Sequence, residues 1–226
     1  MKNRTPLASR RNTRPASSEY AVVNAKRVHR IMGNHAMLLE KHTAVRKGRI
    51  HDGKVMVMRS NLRWCSNGLE FTCWNGEFVR LAFIIDAFDR EIIAWTAVAN
   101  AGISGSDVRD MMLEAVEKRF GTTRAPHAIE HLSDNGSAYT ARETRLFAQA
   151  LNLTPCFTPV ASPQSNSMSE AFVKTLKRDY IRISALPDAE TALRLIDGWI
   201  EDYNEIHPHS ALKMASPRQF IRAKSN

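Results

Sequence analysis

The segment Phe78–Asp86, FVRLAFIID, carries a single charged residue, Arg80, before its closing Asp86. A run so short and so apolar reads as a strand buried in a sheet. Turn chemistry brackets it on both sides. Asn75-Gly76 is a strong two-residue hairpin signal, because both central positions of such a turn take positive φ. Residues 68–74 ahead of it alternate in polarity, and Asp89-Arg90 behind it turn the chain into residues 92–98. These segments predict a three-stranded antiparallel meander. A helix follows over 104–120, with Val108, Met111, Met112, Ala115 and Val116 inward and Gly121 as its stop. Then come a strand at 128–132, a helix at 140–151, a strand at Leu153–Phe157 and a loop at 158–165. Two helices close the chain, one from about Ser167 and one over 188–203 with Ala192, Leu193, Ile196, Trp199, Ile200 and Tyr203 on one face. Three strands in series followed by helix–strand alternation specify an α/β domain: a mixed five-stranded sheet with helices on both faces.

Charge divides the 226 residues unevenly. Residues 1–60 hold 14 Lys and Arg against 3 Asp and Glu, whereas residues 61–226 hold 18 against 20. A basic front on a near-neutral body is expected to bind a polyanion, most simply DNA, although a solvated basic tail has the same composition. Residues 1–19 read as a disordered basic tail, since they lack the apolar stripe of a targeting peptide. Residues 20–60 read as a partial helix-turn-helix-like segment and linker. Asn24 caps a short helix there, with Ala25, Val28, Ile31 and Met32 inward and Lys26, Arg27 and Arg30 outward toward DNA. A second short helix is expected at 35–40 and one strand around 55–58. Residues 61–222 form the globular core with its C-terminal helices. No apolar stretch approaches the roughly 20 residues of a membrane helix. Three scattered cysteines, Cys65, Cys73 and Cys156, suit a reducing compartment.

Two carboxylates stand out. Asp134, in Ser133-Asp134-Asn135-Gly136, ends a predicted strand, where open α/β sheets place ligands. As a bare tetrapeptide it is also a good turn. Glu170 follows after 35 intervening residues and opens an amphipathic helix. Glu170, Lys174, Lys177 and Arg178 share one face, and Met168, Phe172 and Leu176 lie opposite. Ser167-x-x-Glu170 also fits a capping box. Paired carboxylates around a divalent metal beside basic residues suit phosphodiester chemistry.

A wider set of motifs carries a resemblance. It comprises Asn24-Ala25-Lys26-Arg27-Val28, Arg63-Trp64-Cys65-Ser66, the run from Ile84 to Arg90, Leu132-Ser133-Asp134-Asn135-Gly136-Ser137, Ser162-Pro163-Gln164-Ser165-Asn166, Glu170 through Tyr180, Tyr203-Asn204, Pro208-His209-Ser210-Ala211-Leu212 and Ser216-Pro217. Over residues 20–222 the chain resembles the retroviral-integrase-type transposases with an acidic Asp-Asp-Glu triad, specifically the second-frame protein of bacterial insertion sequence family three. The resemblance implies a ribonuclease H-like core, magnesium or manganese, and cutting and joining of DNA strands. It implies insertion-sequence ends and target DNA as partners, at least a dimer on DNA, and the element's first-frame DNA-binding protein as a further partner. It also implies a bacterial cytoplasmic, nucleoid-associated location.

In that family the first triad acid follows a Trp-x-Ser-like segment. Here Asn67 follows Trp64-Cys65-Ser66. An amide oxygen coordinates weakly and brings no charge, so an intact site's two metal ions should become fewer. The expected set is Asp134 and Glu170 with Asn67 as a weak third ligand, in an impaired copy. Asp86 is the nearest spare acid. A catalytically dead DNA-binding remnant and a ribonuclease H-like nuclease are the alternatives. Ser167 also stands where the family commonly has Gly after the Asn. His29, His35, Cys65 and Cys73 have no spacing suited to tetrahedral zinc. His207-Pro208-His209 reads as a helix terminator with surface imidazoles. The four tryptophans read as core.

Overall fold

In the computed structural model of this chain, residues 24–38, 57–157 and 167–225 are described. Helix α1 (Ala25–Asn34) begins as expected, the Asn24 side chain accepting from the Lys26 N–H at 2.9 Å. Met32 is its buried residue, while Ile31 is exposed. Residues 35–38 form a turn and bend where a second helix was expected, and Val57 and Met58 are not strand; residues 39–56, including the rest of both expected elements, lie outside the described residues. So do residues 1–23.

The sheet is built from β1 (Arg63–Thr72), β2 (Phe78–Asp86), β3 (Ile92–Ala99), β4 (Ile129–Ser133) and β5 (Leu153–Phe157). Its order is β3-β2-β1-β4-β5. The first three strands are antiparallel neighbours, and β4 and β5 run parallel to β1. This is the mixed five-stranded sheet the sequence predicted. The meander starts five residues earlier than alternation suggested, at Arg63, so Asn67 sits mid-strand.

Helices cover both faces. On one side α2 (Gly105–Phe120), α3 (Ser137–Thr140) and α4 (Arg142–Ala150) bury Trp64, Ala82, Ile84, Val108, Met111 and Ile129. Ser104 and Asp107 form a capping box at the start of α2, and Gly121 closes it in the left-handed region at φ 67°. The helix expected over 140–151 is α4, which begins after Ala141, whose ψ of 138° is extended; the short α3 ahead of it was not expected. On the other side α5 (Ser167–Asp179) and α6 (Ala189–Glu205) bury Cys65, Leu69, Phe83, Leu132, Phe172 and Tyr203.

A third closing helix, α7 (Pro217–Ser225), was not expected. Its signal is Ser216-x-x-Gln219: the Gln219 side chain accepts from the Ser216 N–H at 3.2 Å, and the Ser216 hydroxyl accepts from the Gln219 N–H at 3.4 Å, with Pro217 at the first helical position. Arg218 then ties α7 to Glu91, Glu201 and Glu205. Two other expectations are corrected. Trp74 is 73% exposed, while Trp64 and Trp199 are core. His207 is buried and stacks on Tyr203 at 5.6 Å, and His209 meets the same ring edge-on at 4.8 Å. Burial and the neighbouring His207 push the His209 imidazole down to about 3, so it stays neutral.

Candidate active site

Strand pairing brings the first two site residues together. The β1–β4 register runs Arg63 with Glu130, Trp64 with His131 and Cys65 with Leu132. Continued by two residues, it brings Asn67 level with Asp134. Side chains alternate across a strand. Cys65 and Leu69 belong to the core beneath α5 and α6, so Asn67 falls on that same face, and Asp134 follows directly on the end of β4.

The third comes from α5. Phe172 packs edge-on against Phe83 at 4.6 Å, and Phe83 is the cross-strand partner of Asn67. That contact carries the first turn of α5, with Glu170 in it, to the stretch of β1 that holds Asn67. An acid in a first turn also faces the positive end of the helix dipole. The described part of α5 starts at Ser167. The expected helical faces hold: Phe172 and Leu176 are buried, Glu170 and Lys177 half-buried and Lys174 exposed. Arg178 is different, because its guanidinium forms a two-pronged pair with Asp179 at 2.8 and 2.7 Å. Its charge is already matched. Lys26, Arg27 and Arg30 are exposed on α1.

Asp134 is exposed, and its Oδ1 accepts from the Gly136 N–H at 2.9 Å. The carboxylate lies so close that a Cβ on residue 136 would stand 2.9 Å from Oδ1. Glycine therefore belongs there for contact rather than for backbone freedom, its φ of −60° and ψ of 143° being open to any residue. Below this turn, the Tyr139 hydroxyl and Ser66 Oγ share a buried hydrogen bond of 2.6 Å, and Ser66 donates to the Phe83 carbonyl at 2.9 Å. The bond ties the segment after Asp134 to the residue before Asn67. Burial pushes the Tyr139 phenol up to about 12 and the neighbouring His131 down to about 4, so both stay uncharged at neutral pH. Sequence reasoning missed this tether; a Ser in a strand gives no sign that its hydroxyl meets a Tyr 73 positions away.

Asp86 is not a substitute for the missing acid. It pairs with Trp64, three ladder positions from the Asn67–Phe83 pair, and Trp64 belongs to the core of the opposite face. Its carboxylate is fully buried and accepts from the N–H groups of Asn61, Phe88 and Asp89. It holds a turn.

The donor types are those that take a divalent cation. Asp134 and Glu170 supply two carboxylates, and Asn67 supplies an amide oxygen that already accepts from the Gly68 N–H at 2.8 Å. Among the described residues no three or more His, Cys, Asp and Glu gather as a metal site. No helix among them is long and apolar enough to cross a membrane.

Comparison with known proteins bears on the family and the fold. Residues 58–163 match one integrase core domain family, and residues 151–217 match a second of the same description. The chain is 95% identical over 194 residues to an insertion element IS136 protein of Agrobacterium tumefaciens, covering 86% of this chain and all of that one. It is 50% identical over 204 residues to the putative transposase InsD of insertion element IS2E of Escherichia coli, covering 90% of this chain and 93% of that one. Against the longer transposase InsD of IS2D it spans 67% of the length. Among solved structures, the simian T-cell lymphotropic virus intasome aligns with a TM-score of 0.54 at 19% identity, over 88% of this chain and 66% of that one. The HTLV-2 integrase catalytic core aligns at 0.51 and 14%, over 72% and 97%. These two likenesses bear on the fold, which is ribonuclease H-like.

Proposed function

The chain belongs to the integrase-core family of insertion-element transposases, enzymes that cut and join DNA, and from that premise we propose that this copy binds element DNA through a catalytic centre impaired at Asn67. One observation supports the reading: β1, which carries the amide Asn67, pairs in parallel with β4, whose end leads straight into Asp134. A magnesium or manganese ion would be held by Asp134 and Glu170, with the Asn67 oxygen as a weak third donor. When bound, it supplies charge neutralisation and polarisation at phosphorus. A third carboxylate is what offsets the repulsion between two such ions, and Asn67 cannot provide it.

The chain's own residues do the rest. Lys174 and Lys177, one turn apart beyond Glu170, hold the phosphates of a terminal nucleotide as point charges. Lys26, Arg27 and Arg30 add sequence-tolerant grip from α1. Arg178 contributes less, since Asp179 already matches its charge. The Tyr139–Ser66 bond holds the Asp134 turn against β1 without entering the chemistry. Assembly on paired insertion-sequence ends requires at least a dimer, with the element's first-frame protein as a further partner, on DNA of the bacterial nucleoid.

Strand transfer with magnesium, measured for the natural chain and for Asn67→Asp, tests the proposal. Activity should appear or rise sharply in Asn67→Asp. Equal activity in both would refute the impairment. Cleavage of an RNA–DNA hybrid in preference to element-end duplex would favour a ribonuclease instead.

A further inference from the structure

The charged side chains of the core are mostly consumed internally. Arg63, Arg80, Arg109, Arg119, Arg178, Arg194, Arg218 and Arg222 each pair with a carboxylate. A cavity of about 320 Å³ beside β3 illustrates the rule: its two arginines, Arg119 and Arg218, are held by Asp89, Glu91, Glu201 and Glu205. It has no positive charge to spare for an anion.

A second groove breaks the rule. It measures about 380 Å³ and lies between α4 and the edge strand β5, lined by Arg142, Arg145, Leu146, Gln149, Pro155 and Phe157. Arg142 and Arg145 are exposed, and neither guanidinium has an ion-pair or hydrogen-bond partner among the described residues. Leu146 beside them is 54% exposed, an apolar side chain left in water. Uncompensated arginines over a partly apolar floor match a nucleic-acid strand, with phosphates on the guanidiniums and a sugar or base against Leu146 and Phe157. Residues three apart on a helix are neighbours, about 5–6 Å between Cβ atoms. Arg142 and Arg145 can therefore serve one continuous backbone.

Position links the groove to the candidate active site. Phe157 pairs with Ser133, the residue before Asp134. Neighbouring strands lie about 4.8 Å apart, so the groove opens one strand over from the Asp134 turn, on the α4 side of the sheet. We propose that this groove carries one strand of DNA past the end of β5, away from Asp134, with Arg142 and Arg145 holding its phosphates. The proposal rests on the DNA-binding reading above and adds a second phosphate track, separate from Lys174 and Lys177.

The test is fluorescence anisotropy on the full chain with a labelled duplex bearing a single-stranded extension, titrated over a range of salt. Three proteins are compared: the natural chain, Arg142→Gln/Arg145→Gln, and Lys174→Gln/Lys177→Gln. Each lost phosphate contact lowers the slope of log affinity against log salt by about 0.7–0.9. The groove variant should bind more weakly with a slope smaller by about 1.4–1.8, and its unfolding transition should not move, because both side chains are exposed. An unchanged slope in the groove variant, with a reduced one in the lysine variant, overturns the groove and leaves the DNA-binding reading standing. A natural chain that binds without salt dependence overturns both. If the groove variant keeps its DNA slope but loses self-association in sedimentation, the groove belongs to a protein contact and the proposal fails.

Discussion

Gly136→Ala separates the position of Asp134 from the stability of the fold. The new methyl would stand 2.9 Å from Asp134 Oδ1, where ordinary contact begins near 3.4 Å. The carboxylate must retreat by the difference, about 0.5 Å, which is the tolerance within which a functional group keeps its productive geometry. The backbone at 136 suits alanine, so the exchange gains about 0.4–1 kcal/mol by restricting the unfolded chain. Loss of the Gly136 N–H bond to Asp134 costs about 1 kcal/mol at this exposed position. The two offset each other, and the melting temperature should barely move. Divalent-metal affinity should fall by about tenfold, or about 1.4 kcal/mol. The measurement is a manganese titration followed by electron paramagnetic resonance. It is best made on Asn67→Asp with and without Gly136→Ala, where the site has its full set of carboxylates, with melting curves in parallel. Unchanged affinity would refute the claim that Gly136 sets the carboxylate's place. A large drop in melting temperature would assign Gly136 to the fold instead.

Two further outcomes concern the frame around the site. Arg119 is 11% exposed and faces the fully buried Asp89, so Arg119→Met should cost about 3–5 kcal/mol in urea unfolding near neutral pH. Burial and the adjacent Asp89 push the Asp86 carboxyl up to about 6, so the folded state binds that proton more tightly than the unfolded chain. The group's contribution is therefore fully present below its ordinary value and is lost as pH rises through 6. Arg119 lowers that carboxyl, so its removal raises it further. The variant should thus recover more stability than the natural chain on going from about pH 7 to about pH 5, and equal recovery in both would refute the coupling. Phe172 meets Phe83 and Tyr203 at 4.6 Å each, so Phe172→Ala should cost about 3–5 kcal/mol by thermal or urea unfolding. A loss under about 1 kcal/mol would mean that α5 is not seated on β1 through this ring.

The parts of the fold legible in the sequence are those fixed by local chemistry. β2 and β5 read to the residue because turns or loops bound them and their apolar runs are short. The inward face of α2 and its stop at Gly121 follow from spacing and a left-handed glycine. What stayed hidden depends on distant partners. The first half of β1 looked unpatterned because Ser66 spends its hydroxyl on Tyr139 and Phe83, which lie far away in the chain. The short α3 went unforeseen; the Thr140 hydroxyl bonds back to the Gly136 carbonyl within it, a local bond that propensity does not foresee. His207 and His209 are drawn inward by the Tyr203 ring, against their ordinary surface preference. The candidates Asp134 and Glu170 were picked out by their spacing and neighbours and Asn67 by the resemblance; the parallel pairing of β1 with β4 was not legible in the sequence. Arg142 and Arg145 carried no motif; their interest arises from their exposure beside a partly apolar groove, with no carboxylate partner among the described residues.

The most direct measurement is a count of manganese ions, by anomalous scattering, in crystals of the natural chain and of Asn67→Asp. At most one ion is expected in the natural chain, held between Asp134 and Glu170, and two in Asn67→Asp. Two fully occupied sites in the natural chain would contradict the account, as would no ion at Asp134 and Glu170 in either protein.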